Sequence, residues 1–171
     1  MEKNRQGLLH IYCGDGKGKT SAAVGMAVRA AGCGMKVLVI RFLKTENSGE
    51  VEVLRSIPGI TVTPCDRTFG FVFRMTEEQK QEAALYYQSR FEAAAEEAVQ
   101  GQYDLLILDE ILASCNYGMV RETSVVEFLQ NRPEKLEVVL TGRNPSETFL
   151  ELADYVSEIC MRRHPYEKGI P

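Results

Sequence analysis

Short apolar runs alternate with longer stretches whose apolar residues recur every three or four positions, and the alternation repeats along almost the whole chain. Leu8 to Cys13 is a β-rich run that leads directly into Gly14 to Lys19. Ala22, Ala23, Met26, Ala27, Ala30 and Ala31 then fall at helical spacing, which predicts a helix stopped by Gly32 and Gly34. Val37 to Phe42 reads as a second buried strand. The polar stretch Lys44 to Glu50 predicts a loop with a short helix behind it, and Ile60 to Pro64 a weaker third strand closed by its own proline.

Thr76 opens a long helix, because Thr-Glu-Glu-Gln has the spacing of a capping box and Ala84, Tyr87, Phe91, Ala94 and Ala98 form one apolar stripe ending near Gly101. Leu105 to Leu108 is too short for a helix and suits a strand covered on both faces, as does Val138 to Leu140. Between them Thr123 to Gln130 predicts a helix that stops before Arg132-Pro133. Asn144 as cap, Pro145 in the first turn and Glu147 start another helix, and Tyr155 to Cys160 closes as the last strand. The order predicts an α/β fold: a mostly parallel central sheet with helices on both faces and ligands at the carboxyl ends of its strands. Residues 1–171 hold no internal repeat, low-complexity tract or linker, so one domain is expected.

Composition narrows the functions this fold can serve. A chain of 171 residues with 44% apolar side chains removes about 70% of its unfolded surface from water, enough for a core without disulfide or metal staples. The net charge of −4 gives no general attraction to polyphosphate backbones or anionic membranes, so nucleic-acid and membrane-surface roles are disfavoured. No apolar run approaches the roughly 18 residues that span a bilayer, and Met1 to Gly7 is too polar for a signal-peptide core. The cysteines at 13, 33, 65, 115 and 160 have wide, irregular spacing and no CxxC pair, which suits thiols in a reducing cytoplasm rather than a disulfide framework or a zinc site. With only His10 and His164 present, any metal should be a hard cation on oxygen ligands.

The sharpest chemical signal is Cys13-Gly-Asp-Gly-Lys-Gly-Lys-Thr-Ser21, placed between a predicted strand and a predicted helix where backbone amides converge on an anion. It is a variant phosphate loop, since the strict pattern has glycine where Cys13 stands. Gly14, Gly16 and Gly18 permit the tight path, Lys19 supplies charge to the phosphates and Thr20 a hydroxyl for magnesium. The roles of Asp15 and Lys17 stay open. A dinucleotide reading fails, because from Gly16 the third glycine falls on Ser21 and the second strand ends in Arg41 rather than an acid. Asp109-Glu110, at the end of Leu105 to Leu108, supplies carboxylates that can hold the metal or order a nucleophile, and sequence does not divide the two roles. Lys19 and Glu110 are the candidate catalytic residues. Arg143, in Thr141-Gly-Arg143, either binds a phosphate or ligand carboxylate or caps the turn into the next helix.

Gly14-Asp-Gly-Lys-Gly-Lys-Thr-Ser-Ala-Ala23, Arg29-Ala-Ala-Gly-Cys-Gly34, Phe42-Leu-Lys44, Leu106-Ile-Leu-Asp-Glu-Ile111, Thr141-Gly-Arg143 and Arg163-His-Pro-Tyr-Glu-Lys-Gly-Ile170 together resemble the P-loop ATP:corrinoid adenosyltransferases of the cobalamin pathway. The resemblance runs in order over nearly the whole chain. It implies a RecA-like P-loop NTPase sheet, usually a homodimer, that moves the 5′-deoxyadenosyl group of ATP to the cobalt of a reduced corrinoid and releases triphosphate. It further implies that Gly14 to Ser21 bind the nucleotide in an orientation reversed from that of kinases. Thr20, Asp109 and Glu110 would serve Mg2+, a patch matching Gly70-Phe-Val-Phe73 would abut the corrin ring, and a flavoprotein reductant would act as partner. The family often has Trp where Phe73 stands; few residues precede the first strand, so a covering N-terminal helix is not expected, nor a basic tail beyond Pro171.

The inventory fits such chemistry. Cobalt(I) is itself a strong nucleophile, so no activated serine, cysteine or histidine is needed, and positioning with leaving-group neutralisation can supply about 7 to 11 kcal/mol. Phe71 and Phe73 alternate with Val72, which puts both rings on one side of an extended segment. The competing readings are a small-molecule kinase, for example one resembling thymidine kinases but without their zinc-binding cysteines, and a non-catalytic ATP-sensing module.

Overall fold

The computed structural model describes residues 6–163. Six strands, β1 Leu9–Cys13, β2 Val37–Arg41, β3 Ile60–Val62, β4 Leu105–Asp109, β5 Glu137–Thr141 and β6 Tyr155–Glu158, form one sheet in the order β3-β2-β4-β5-β1-β6. Every neighbouring pair is parallel. Helices α1 Lys19–Gly32, α2 Gly49–Ser56, α3 Glu77–Gln100, α4 Ile111–Asn116, α5 Glu122–Asn131 and α6 Glu147–Leu152 make the connections.

β2 and β4 are buried at all five positions because the sheet is covered twice. Strand residues alternate between two apolar layers. Leu38, Ile40, Leu106 and Leu108 face the layer that holds Tyr87, Phe91, Leu129 and Phe149, whereas Val37, Val39, Leu105 and Ile107 face Ala23, Ala27, Val51 and Leu54. Each fully buried Leu or Ile contributes about 1.5–3 kcal/mol, so these two strands anchor the sheet. Parallel strands present all their carboxyl ends on one edge, and Cys13, Arg41, Asp109 and Thr141 therefore end on the same side.

The capping box at Thr76 is present: its hydroxyl accepts from the Gln79 amide at 3.3 Å, and the Gln79 side chain accepts from the Thr76 amide at 2.9 Å. Several details differ from the sequence reading. The buried stripe of α3 begins at Ala83 rather than Ala84. The helix after β5 is capped not by Asn144 but by Ser146, whose hydroxyl accepts from Phe149 N, while Asn144 takes a left-handed φ of 48° that turns the chain before the helix starts. α4 leaves no periodic signal in the sequence, because six residues hold less than two turns. β6 stops at Glu158 instead of Cys160 and is exposed at all four positions, as an edge strand with one pairing partner.

Candidate active site

The loop Gly14–Gly18 joins β1 to α1 and lies against the chain that follows β6. Gly16 N donates to Ile159 O at 2.7 Å, and a Cβ at Gly14 or Gly16 would come within 2.4 or 2.6 Å of that same carbonyl. Gly14 and Gly18 have φ of 104° and 121°, so only glycine follows this path without strain. Cys13 is the last residue of β1, has no positive φ and buries its side chain in the core, which is why glycine is dispensable there. No side chain caps α1, leaving its first amides to an anion. The Lys19 ammonium is buried and donates to Gly16 O at 2.8 Å. Asp15 braces the loop by accepting from Met161 N at 2.9 Å, while Lys17 and Ser21 are exposed.

At the end of β4 the two acidic residues separate. Asp109 is 2% exposed and points at the phosphate loop, accepting from the Thr20 hydroxyl at 3.0 Å and from the Thr141 hydroxyl at 2.7 Å. Glu110 adopts a left-handed φ of 64° and lines an open cleft shared with Leu43, Lys44, Tyr117 and Arg143. Its amide donates to Thr141 Oγ1 at 2.8 Å. Burial, then the neighbouring Asp109 charge, raise its carboxyl above the usual range, with Lys44, Lys19 and Arg143 pulling the other way. Among the described residues a hydrogen bond joins Thr20 to Asp109, and none joins the Glu110 side chain to Thr20. Arg143 does not cap the turn: Asn116 Nδ2 does, donating to the carbonyls of Arg143 and Asn144, and Arg143 lines the cleft.

Two residues without an assigned role from sequence enter the site. Lys44 Nζ donates to Thr20 Oγ1 at 2.7 Å and also bonds Asp109 Oδ2. Thr141 is fully buried and ties the ends of β4 and β5 together. The signals for them were position, since both lie at the carboxyl edge of a predicted strand, and membership of the resembling segments Phe42-Leu-Lys44 and Thr141-Gly-Arg143.

Phe71 and Phe73 are 65% and 78% exposed, which excludes ordinary core aromatics. The segment is not extended as expected but a 3₁₀ turn, Val72–Arg74, whose tighter winding still sends both rings outward. Their centroids are 5.4 Å apart at an interplanar angle of 25°, with the Arg74 guanidinium within 5.7 Å of each, while Val72 packs on the core. The paired rings therefore form an apolar patch left in solvent. His164 to Ile170, the last segment of the resemblance, lie outside the described residues.

Residues 5–171 match the family described as ATP:corrinoid adenosyltransferase BtuR/CobO/CobP. The chain belongs to this family. The corrinoid adenosyltransferases of Pseudomonas aeruginosa and Escherichia coli are each 32% identical to it over 98% of its length, covering 82% and 84% of theirs. That of Salmonella typhimurium is 30% identical over the same share, covering 84% of its own length. Among solved structures, a KaiC-like protein from Pyrococcus horikoshii superposes with a TM-score of 0.50 at 14% identity, covering 93% of this chain and 75% of that one. The cytoplasmic domain of EssC gives 0.53 at 11% identity, covering 95% and 34%. These likenesses concern the fold alone, a P-loop NTPase sheet, which this corrinoid adenosyltransferase family member shares.

Proposed function

We propose that this chain transfers the 5′-deoxyadenosyl group of ATP to the cobalt(I) of a reduced corrinoid. The cobalt electron pair forms the bond to the ribose 5′ carbon, the carbon–oxygen bond to the α-phosphate breaks with its electrons passing to oxygen, and triphosphate leaves. The observation that carries this reading is the family match along residues 5–171, joined to a site that offers phosphate- and cation-binding groups and, among the described residues, no activated nucleophile. Such a site suits a reaction whose nucleophile comes with the substrate.

The protein's own work is then positioning. The amides of Gly14–Ser21 and the Lys19 ammonium receive the triphosphate, oriented so that the sugar carbon rather than the terminal phosphorus is presented. The exposed face of Phe71 and Phe73 receives the corrin and keeps water from the cobalt. Thr20 and Asp109 fit Mg2+, because a hydroxyl and a buried carboxylate, both oxygen donors suited to a hard cation, converge within 3.0 Å. Bound there, Mg2+ would neutralise charge on the departing triphosphate. Glu110, set back in the cleft, acts beside Arg143 on the ligand rather than on the cation.

Cobalt(I) needs an electron donor that the side chains do not provide, so a flavoprotein reductant belongs to this reading. So do a homodimer and a cytoplasmic setting, supported by the family resemblance and the unpaired spacing of the cysteines. Among the described residues no helix is long and apolar enough to cross a membrane. Mixing the protein anaerobically with MgATP and chemically reduced cobalamin should yield a light-sensitive cobalt–carbon product and free triphosphate. Release of ADP and phosphate instead would overturn the assignment.

A further inference from the structure

The phosphate-loop hydroxyl and the buried carboxylate are bridged by an ammonium group. Lys44 Nζ lies 2.7 Å from Thr20 Oγ1 and 2.5 Å from Asp109 Oδ2, and the Thr20 hydroxyl donates in turn to Asp109. These are the same oxygens that fit a divalent cation, and the ammonium stands between them. The backbone places it there. Phe42 N donates to Asp109 O at 2.9 Å, which pins the start of the loop to the end of β4. Leu43 then takes a left-handed φ of 53°, uncommon for leucine, and the following side chain returns over Asp109.

Charge explains why a cation is needed at this point. Asp109 is 2% exposed, and a carboxylate at that depth is strongly destabilising unless paired. Lys19 is engaged with Gly16 O, so among the described residues Lys44 is the cationic group bonded to Asp109. Lys44 also lines the cleft of about 440 Å³ that holds Glu110 and Arg143, with open space into which its stem can swing. A compact ammonium on a flexible four-carbon chain suits a group that must change partners, whereas a rigid guanidinium fork does not.

We propose that Lys44 is a displaceable counter-ion. It neutralises Asp109 while the nucleotide is absent, yields Thr20 and Asp109 when the cation arrives with ATP, and turns its ammonium to the triphosphate oxygens. The proposal rests on the assignment of Thr20 and Asp109 to the cation. Without nucleotide, the ammonium can leave the pair only for solvent or the Glu110 side of the cleft. With triphosphate present it gains anionic oxygens in exchange, so loss of the old contacts is offset. Cation and nucleotide therefore bind cooperatively, each strengthening the other by the same factor. Lys44 is thus a positioning residue that favours a cation delivered with triphosphate over a free one.

The test is a titration of Mn2+, followed by water-proton relaxation, into protein without corrinoid, first alone and then with ATP. Lys44→Met and Lys44→Gln should each bind Mn2+ about tenfold tighter than the original chain when no nucleotide is present, a size typical of coupled sites. The tightening of Mn2+ by ATP should shrink by a similar factor. A lysine that merely supported the fold would leave nucleotide-free Mn2+ affinity unchanged or lower it, and either result overturns the proposal. In an Asp109→Asn background the Lys44→Met gain should vanish; its persistence would also overturn it. If the unsubstituted protein binds no Mn2+ with ATP, the cation assignment falls and the lysine's role with it. Ordinary binding of Mn2+ with ATP together with an unaltered Lys44→Met variant removes the lysine's role alone.

Discussion

Thr141 Oγ1 donates to Asp109 Oδ1 at 2.7 Å while accepting the Glu110 amide at 2.8 Å, so one fully buried hydroxyl fixes both acidic residues at the end of β4. Thr141→Val keeps the shape but orphans a buried amide and strips one partner from a buried carboxylate. The expected loss is about 1–3 kcal/mol in unfolding free energy, read from the urea midpoint. Because the hydroxyl also orients the carboxylate facing Thr20, Mg2+-dependent activity should fall about 10–100-fold, as for other groups that hold a ligating residue in place. A normal Mg2+ dependence in a destabilised variant would confine Thr141 to the fold.

Lys19 is buried, but among the described residues its side-chain hydrogen bond is to Gly16 O in its own loop. Removing it by Lys19→Ala costs about 1 kcal/mol of stability, the worth of one hydrogen bond. It should lower kcat about 10²–10³-fold, the usual effect of deleting one charge-stabilising donor. Adenosyl transfer measured with saturating MgATP and reduced cobalamin checks this. Unchanged turnover would show that the loop amides alone carry the triphosphate.

β2 and β4 were legible because a strand covered on both faces must be apolar at every position, and Val37–Ile40 and Leu105–Leu108 are. The phosphate loop was legible because its glycines meet local backbone demands that leave a local pattern. Asn144 misled because asparagine is both a good cap and a good left-handed residue, and with Ser146 two positions on, the turn took the first and the helix the second. The division of Asp109 from Glu110 depends on a left-handed φ at Glu110, and the Lys44 bridge spans 24 and 65 residues of sequence. Neither leaves a trace in spacing. Phe71 and Phe73 share a side, as their alternation implied, but by a 3₁₀ turn that a three-residue pattern does not distinguish from a strand.

Burial, followed by the charge of Glu122, pushes the Cys115 thiol up to about 12 from an ordinary 9.0. At pH 8 only about one thiol in ten thousand is then ionised, and the thiolate is the reactive form. Iodoacetamide at that pH should label exposed Cys33 and Cys160 while Cys115 stays unmodified until urea is added, as mapped by mass spectrometry. Between about pH 9 and 12 the unfolded chain releases a proton that the native thiol retains, so this residue lowers stability as pH rises. Cys115→Ala should flatten that limb of the unfolding profile, and an unaltered slope would assign it elsewhere.

Phe71 and Phe73 touch each other and Arg74 rather than the core, so Phe71→Ala and Phe73→Ala should change stability by no more than about 0.5 kcal/mol. Their effect should fall on the corrinoid. On the proposed reading, removing the rings takes away the apolar platform and should let water reach the cobalt. The KM for reduced corrinoid should rise and kcat fall, together about tenfold or more in kcat/KM, while the Kd for MgATP stays unchanged. The double variant should lose less than the product of the two single losses, because the stacked rings form one surface and either removal already disturbs it. Equal weakening of ATP and corrinoid would instead show that the pair supports the loop ahead of α3 rather than a ligand.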